Sequence, residues 1–349
     1  RVTVNAAQLG GYVAYRLPDR QGAGHVFARL ARLDLPSTVA TEVEALLEQT
    51  SSVPALDIEI DDFVLRGFHL GRLELRASNR GGREDRDWRL ERLRLKVPEA
   101  QLQASGNWAR APGAPPARPR ATGLSFRLDI DDSGLLLERF GHPGVVRGGQ
   151  GHMEGRIGWS GSPLAMDPAS LDGQISADFA RGQFLKVDPG AARLLGVLNL
   201  QALPRRLALD FRDVFSEGFS FDFVRGNARI ESGVMQTNNL QMKGVNAAVL
   251  IEGQADIRRE TQDLKVVVVP EINAGTASLI ATAINPVVGI GTLVAQFLLS
   301  QPLQAANTQE FRISGTWADP QVEKVARPPP PATLSGEADR PPSAPAPVE

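Results

Sequence analysis

Period-two alternation of apolar and polar residues is the sequence feature that most constrains the fold of this chain. Leu56, Ile58 and Ile60 alternate with acidic residues, and phenylalanine alternates with Ser and Asp over Phe219–Phe223. Successive side chains of a β-strand point to opposite faces of the sheet, so each run predicts a strand with one apolar face. A one-residue shift would turn every apolar group to the wrong face, and the pattern therefore also specifies the register.

Short breaks rich in Gly, Asn and Asp separate the alternating runs. Closely spaced strands with short connections pair antiparallel, whereas parallel strands need longer crossovers. The sequence therefore predicts a mainly β chain whose antiparallel hairpins repeat along one axis. Four breaks have the composition of hairpin turns, because Gly and Asn tolerate positive φ angles: Gly148–Gly151, Glu231–Gly233, Gly244–Asn246 and Ser314–Gly315.

Helical periodicity is restricted to a few segments. Behind Pro36, apolar residues recur at helical spacing over about residues 37–49. Asp188 and Pro189 provide an N-cap and a first-turn proline for a helix over about residues 189–200. A short helical turn is also expected over Leu135–Phe140.

The segment Ile272–Gln309 contains no charged residue. Its two predicted helical pieces, over about residues 276–300, are separated by Asn285 and Pro286, and each is shorter than the roughly 20 apolar residues that one spanning helix needs. Three interpretations stay open: a buried helical hairpin that closes the sheet, an element in contact with a membrane, and a true span. The candidate membrane-contact or groove-closing residues are Leu279, Ile280, Ile284, Val287, Val288, Ile290, Leu293, Phe297 and Leu298.

Proline-rich stretches suggest how the chain divides. Residues 111–122 have the composition of a loop or linker between a β-rich segment, 1–110, and a C-terminal β domain, 123–325. The same stretch is also compatible with a long hairpin loop. Residues 326–349 are again rich in proline and are predicted to be disordered or polyproline-like.

Composition and charge exclude several kinds of site. The chain has no cysteine, which excludes disulfides, thiolate nucleophiles and Cys-ligated metals. A formal net charge of −2 provides no overall attraction to nucleic acid. Arg89, Arg92 and Arg94 are interrupted by Glu91 and are not accompanied by an aromatic platform for base stacking, so no nucleic-acid partner is predicted.

No catalytic or metal-binding constellation occurs in the sequence. The four histidines have no recognised metal-ligand spacing. Asp61-Asp62 and Asp131-Asp132 each end a predicted strand, where Asp is common in turns, and neighbours in a strand point to opposite faces. We therefore predict no catalytic residue, no metal, no cofactor and no enzymatic activity.

Several segments of the chain carry a recognisable order of residues. They are Leu56–Leu75, Trp88–Leu95, Ala104–Trp108, Ala191–Leu207, Leu209–Asp222, Asn285–Gly289 with Gln296, and Ser314–Pro320. In this order they resemble the C-terminal region of the YhdP family, within the AsmA-like superfamily. The resemblance covers residues 27–325, is strongest over 185–320, and rests on pattern and order rather than on an invariant chemical motif.

The resemblance implies both a fold and a function. Proteins of this family are expected to curl an antiparallel sheet into an open apolar groove with a few short helices, notably near the C-terminal end. The groove would carry phospholipid between the inner and outer membranes of a Gram-negative bacterium. The full-length protein would lie in the periplasm, anchored in the inner membrane by an N-terminal helix that this chain lacks. Further implied partners are the inner leaflet of the outer membrane, at the C-terminal end, and other envelope proteins.

Alternation and the resemblance together predict which side chains line the groove. The phenylalanines of 219–223 are also compatible with ordinary core packing, the usual position of such a stripe. An alternative function is that of the related TamB branch, in which the groove receives β-strands of outer-membrane proteins during assembly. The candidate lipid-groove residues are Leu207, Leu209, Phe211, Phe219, Phe221, Phe223, Ile230, Leu240, Met242, Leu264, Val266 and Val268.

Overall fold

The computed structural model describes residues 2–5, 8–17, 24–39, 41–43, 53–80, 87–110, 120–185, 218–245, 247–270 and 308–325. These residues form one sheet of sixteen strands, in which the spatial order of the strands follows their order in the chain. The strands are β1 Val2–Asn5, β2 Leu9–Arg16, β3 His25–Leu35, β4 Ala55–Leu65, β5 Phe68–Arg80, β6 Asp87–Val97, β7 Ala100–Ala109, β8 Ala121–Ile130, β9 Val146–Ser160, β10 Asp172–Phe184, β11 Phe219–Glu231, β12 Val234–Gly244, β13 Ala247–Asp256, β14 Thr261–Pro270, β15 Gln309–Thr316 and β16 Pro320–Lys324.

The sheet is open and curved and does not close into a barrel. β1 and β16 are its two edges, since each pairs with only one neighbour in this strand order. At the usual spacing of about 4.8 Å between strands, the sheet is roughly 70 Å long across its strands. The predicted fold class, an elongated and curved antiparallel sheet with few helices, is confirmed.

One strand pair departs from the antiparallel pattern. β3 and β4 run parallel, with His25 opposite Ala55 and Leu35 opposite Leu65. The chain between them, 36–54, is long enough to return from one end of the strands to the other, which a hairpin turn cannot do. Residues 37–39 and 41–43 of this crossover are helical, at the start of the predicted helix over 37–49.

One short helix, α1, extends over Ser133–Arg139 between β8 and β9. The side chain of Asp132 accepts a hydrogen bond from the backbone N–H of Leu135 at 3.0 Å and so caps its first turn. The helical turn expected over Leu135–Phe140 therefore begins two residues earlier. The predicted helices over 189–200 and 276–300 and the Pro-rich tail 326–349 lie outside the described residues.

Two of the four predicted hairpin turns lie inside strands. Gly148–Gly151 belongs to β9, where Gly148 and Gly149 have φ angles of 62° and 82° and the strand stays paired with β10. Ser314–Gly315 belongs to β15, and the chain turns only after Thr316. Glycine permits a positive φ angle within a strand as readily as in a turn, so composition alone did not separate the two cases.

The Pro-rich stretch 111–122 connects two neighbouring strands of the sheet. β7 and β8 pair without interruption from Ala100 opposite Ile130 to Ala109 opposite Ala121. The sheet therefore continues from the predicted β-rich segment into the predicted C-terminal domain.

Candidate functional site

Cross-strand register aligns the apolar residues of successive strands on one face of the sheet, which we call the trough face. Leu73, Leu95, Leu102, Leu128 and Met153 are consecutive partners across β5 to β9. This alignment follows from the sequence, because the alternating pattern of each strand is held in register with that of the next strand. A parallel row of the same face is formed by Ile58, Leu75, Leu93, Ala104, Phe126, Gly155, Ile175 and Ala228.

The middle of the trough face is only half covered. Leu95, Leu102, Phe126, Leu128 and Met153 are all of intermediate exposure. A single sheet leaves the apolar side chains of one face without a second layer, unless another element packs against them. The strands β6 to β9 therefore offer partly accessible apolar surface.

The opposite face, which we call the polar face, carries charged residues in cross-strand ion pairs. Arg29 contacts Asp57 at 2.8 Å and Glu59 at 3.3 Å, and Arg94 contacts Glu74 at 3.4 Å. Opposite charges directly across neighbouring strands stabilise a sheet modestly and keep this face in water. Further pairs are Arg72–Glu59, Arg76–Asp57, Arg127–Glu154, Lys243–Asp222, Lys265–Glu252 and Arg312–Asp263.

The C-terminal strands carry a fully buried cluster on the trough face. Seven of the predicted groove residues are buried: Phe219, Phe221, Ile230, Met242, Leu264, Val266 and Val268. Six of them belong to this one cluster, against which Leu240 packs, whereas Ile230 packs in a neighbouring cluster with Trp159 and Leu171. The predicted list did not include Val249, Ile251, Phe311, Ile313 and Val322, which complete the C-terminal cluster together with Val224 and Ala247.

Phe223 does not join Phe219 and Phe221 in this cluster. Between Phe221 and Phe223 the pairing with β12 shifts by one residue, so that Val224 instead faces the cluster. An extra residue in one strand reverses the facing of everything after it, which is the effect of a β-bulge. Phe223 is half-buried, and the guanidinium carbon of Arg225 lies 3.8 Å from its ring centroid.

Other predicted site residues lie outside the described residues. These are the groove candidates Leu207, Leu209 and Phe211, and the membrane-contact or groove-closing candidates Leu279, Ile280, Ile284, Val287, Val288, Ile290, Leu293, Phe297 and Leu298. Within the described ranges, no helix is both long and apolar enough to cross a membrane.

Three tryptophans stand at the same end of neighbouring strands and form one edge of the trough face, which we call the lip. Trp88 pairs with Trp108, and Trp159 follows two strands further along, opposite Thr122. All three are buried, with 4–8% of their surface exposed. The Nε1 of Trp159 donates to the Ser162 carbonyl at 2.9 Å, and that of Trp88 donates to a carbonyl at 3.3 Å.

Trp108 differs from the other two tryptophans of the lip. Its Nε1 is buried and has no hydrogen-bond partner in the part of the chain that the structure describes. The guanidinium carbon of Arg120 lies 4.6 Å from the centroid of its ring. A buried donor without an acceptor costs free energy. The indole N–H of Trp108 is therefore a candidate donor to a bound ligand.

A concavity of about 1740 Å³ also lies against β8 to β14. Most of its lining residues are polar, including Glu154, Arg156, Gln174 and Gln254. Glu154 is neutralised by Arg127 at 2.7 Å. The four polar side chains named here belong to the polar face, and Phe126, Gly155, Ile175 and Ala228 of the second trough row also line the concavity.

The acidic pairs have structural partners. Asp61 and Asp62 lie near Arg72 and Arg32 at 3.8 and 3.7 Å, and Asp132 caps α1. Among the residues that the structure describes, no three His, Asp or Glu side chains are grouped so that they could hold a metal ion.

Comparison with known proteins gives two matches in sequence. The family model described as "YhdP protein" matches residues 1–322. The intermembrane phospholipid transporter YhdP of Escherichia coli (strain K12) is 32% identical over 231 residues, which cover 66% of this chain and 18% of the relative. The matched part of this chain therefore corresponds to less than a fifth of the length of that relative. No solved structure matches the chain significantly.

Proposed function

We propose, since this chain belongs to the YhdP family, that its trough face is a stretch of the path along which phospholipid moves between two membranes. The relative from Escherichia coli is named an intermembrane phospholipid transporter. Because the chain matches only 18% of that relative, the activity of the whole protein is inferred for it and not observed in it.

The observation that carries this proposal is the continuity of the trough face. Its first apolar row crosses from β5 to β9 and its second from β4 to β11, both without a charged side chain, while the ion pairs lie on the polar face. Each methylene that leaves water contributes about 0.8 kcal/mol, so an apolar surface holds an acyl chain without specific polar contacts. Uniform apolar lining also lets lipid move from one strand to the next without a strong site that would retain it.

The half-buried residues of β6 to β9 offer more surface to an acyl chain than the buried cluster of β11 to β15. Leu102 and Leu128 pair directly and are both partly exposed. Val249, Ile251 and Val266, in contrast, are 0% exposed. We therefore place lipid contact in the middle of the sheet and assign the C-terminal cluster to holding the last strands together.

The same proposal places the chain in the periplasm of a Gram-negative bacterium, with phospholipid as its ligand and its C-terminal end toward the inner leaflet of the outer membrane. A scaffold that receives strands of other proteins would need a long, unprotected strand edge. β16 has five residues, begins with Pro320, and exposes Glu323 and Lys324. Short, charged, proline-bearing edges disfavour strand addition, which supports the lipid path over the scaffold.

Two neighbouring substitutions test the proposal. Leu102→Glu places a carboxylate on the trough face, and Gln103→Glu places the same group on the exposed polar face. Phospholipid bound to each purified protein would be extracted and quantified by mass spectrometry. We expect about a fivefold or greater loss for Leu102→Glu, because a charge is costly to cover with hydrocarbon, and no loss for Gln103→Glu.

Thermal unfolding of both variants serves as the control for folding. Equal phospholipid content in two folded variants, or none in the unmodified chain, would contradict the lipid path. Peptide recovered in place of lipid would favour the scaffold.

A further inference from the structure

Two arginines flank the open end of the β7–β8 hairpin, next to the lip. The chain as a whole has a formal net charge of −2. Arg110 directly follows β7 and Arg120 directly precedes β8.

The alternation of β7 and β8, continued by one residue beyond each strand, assigns both arginines to the trough face. The last pair of the hairpin is Ala109 opposite Ala121, so Arg110 and Arg120 are the next positions outward. Trp108 and Thr122, two residues inward on each strand, lie on the trough face, and side chains two apart share a face.

Two unsatisfied donors belong to residues two positions apart at the end of β7. The Nε1 of Trp108 and the Nε of Arg110 are both buried, and neither has a hydrogen-bond partner in the described part of the chain. Trp108 itself is 4% exposed, and Arg120 lies over its ring. Guanidinium groups and an indole N–H are donors only, so the group that satisfies them must be an acceptor, and phosphate oxygens suit guanidinium geometry.

An apolar track begins at this cluster and crosses the trough. Leu124, Phe126 and Leu128 follow Thr122 along the trough face of β8, and all three are half-buried. From Thr122 to Leu128 the strand advances roughly 20 Å, at about 3.4 Å per residue. One leaflet supplies about half of the roughly 30 Å hydrocarbon thickness of a bilayer, so the track accommodates an acyl chain.

We infer that Trp108, Arg110 and Arg120 form a phosphate-binding subsite at the lip, which holds the phosphodiester of a phospholipid while its acyl chains lie along β8. The inference rests on the proposed lipid path and adds an orientation for the bound phospholipid. Its head group lies at the lip, and its acyl chains lie on the trough face. The subsite holds the phosphate at the edge of the sheet, where the rest of the head group stays in water.

Binding of two matched lipids tests the subsite. Dioctanoyl phosphatidylglycerol and dioctanoylglycerol share both acyl chains and differ in the phosphoglycerol group, and their binding would be measured by equilibrium dialysis. The double variant Arg110→Gln/Arg120→Gln is expected to bind the phosphatidylglycerol about tenfold more weakly, because two charge-assisted contacts are lost. Its affinity for dioctanoylglycerol should not change.

Two further variants complete the test. Trp108→Phe keeps an aromatic ring and removes the N–H, and should weaken phosphatidylglycerol binding about threefold, as expected for one neutral hydrogen bond. Arg89→Gln/Arg156→Gln removes the same charge from exposed positions of the polar face and should change neither affinity.

The outcomes separate the subsite from the lipid path. Unchanged phosphatidylglycerol binding in the Arg110/Arg120 variant, or an equal loss for both lipids, would overturn the subsite and leave the lipid path standing. If the unmodified chain binds neither lipid, the lipid path fails. In that case the subsite is supported only if glycerol 3-phosphate binds to the unmodified chain and does not bind to the Arg110→Gln/Arg120→Gln variant. Any other result would overturn the subsite as well.

Discussion

The two parts of the sheet bury their apolar residues in different ways. In the N-terminal part, β3 to β9, the strands have a half-buried trough face and a polar face held by ion pairs such as Arg29–Asp57. In the C-terminal part, β11 to β15, the first half of β13 and the second half of β14 are buried on both faces. Every residue of Ala247–Ile251 and of Val266–Val269 is buried.

This difference can be read directly in the sequence. Strands with one solvated face alternate, whereas strands covered on both faces are continuous apolar runs. Ala247–Ile251 and Val266–Val269 are continuous apolar runs, whereas apolar and charged residues alternate over Leu93–Leu95. Where the trough face is completely buried the sheet is a core, and where it is half-buried the sheet has surface for a ligand.

The largest effect expected from this comparison concerns stability. Ile251→Ala removes a side chain that is 0% exposed and should lower the free energy of unfolding by about 3–4 kcal/mol, since it leaves a cavity. Leu95→Ala removes a half-buried side chain and should cost about 1–2 kcal/mol. Urea denaturation of the two variants measures both values. Equal losses would mean that the trough face is as tightly packed in β6 as in β13.

Thiol accessibility sharpens the same comparison. The chain has no cysteine, so a single introduced thiol reports on its own position. We expect a maleimide to label Leu128→Cys at least about 100-fold faster than Val249→Cys, because a buried thiol reacts only after local opening. Dioctanoyl phosphatidylglycerol should slow the labelling of Leu128→Cys and leave that of Gln103→Cys, on the polar face, unchanged.

Similar labelling rates for Leu128→Cys and Val249→Cys would remove the distinction between an open and a filled trough. Lipid protection at Gln103→Cys as well would mean that the ligand covers the polar face.

Much of the fold could be predicted from the sequence, because alternation is a local property. The strands around Ile58 and Phe221 and the open antiparallel sheet follow from it. The sequence could not predict that Val224, rather than Phe223, faces the C-terminal cluster, because a β-bulge appears only when two strands are paired. The parallel β3–β4 pair was missed for a similar reason: alternation is the same in parallel and antiparallel strands.

The candidate site was less accessible to sequence reasoning. The predicted groove residues were chosen from the C-terminal strands, where the resemblance is strongest, whereas the half-buried surface lies in β6 to β9. The alternation of Leu124–Leu128 was visible in the sequence. That Trp108 and Thr122 share a face, which is the basis for grouping Arg110 with Arg120, follows only from the register of β7 with β8.

The smallest effect concerns one ionic contact of the N-terminal part. Arg139 of α1 donates hydrogen bonds to both carboxylate oxygens of Glu99, whose side chain is 4% exposed, and a third to the carbonyl of His69 at 3.2 Å. The contact fastens α1 to the β6–β7 turn. Glu99→Gln should lower the free energy of unfolding by about 2 kcal/mol at neutral pH, because it replaces a charge-assisted contact by a neutral one.

The pH dependence of that loss tests its cause. The hydrogen bond from Arg139 holds the pKa of Glu99 below its ordinary value of 4.5. A carboxyl group whose pKa is lowered by folding stabilises the protein fully above its ordinary pKa, and the stabilisation is lost as the pH falls through the lowered value. The difference between the unmodified chain and Glu99→Gln should therefore be constant above about pH 5 and shrink below pH 4.5. Urea denaturation at a series of pH values measures it, with Glu138→Gln, on the exposed side of α1, as the matched control. A difference that stays constant to pH 3 would show that the loss comes from packing, and the N-terminal part would then resemble the C-terminal part in what stabilises it.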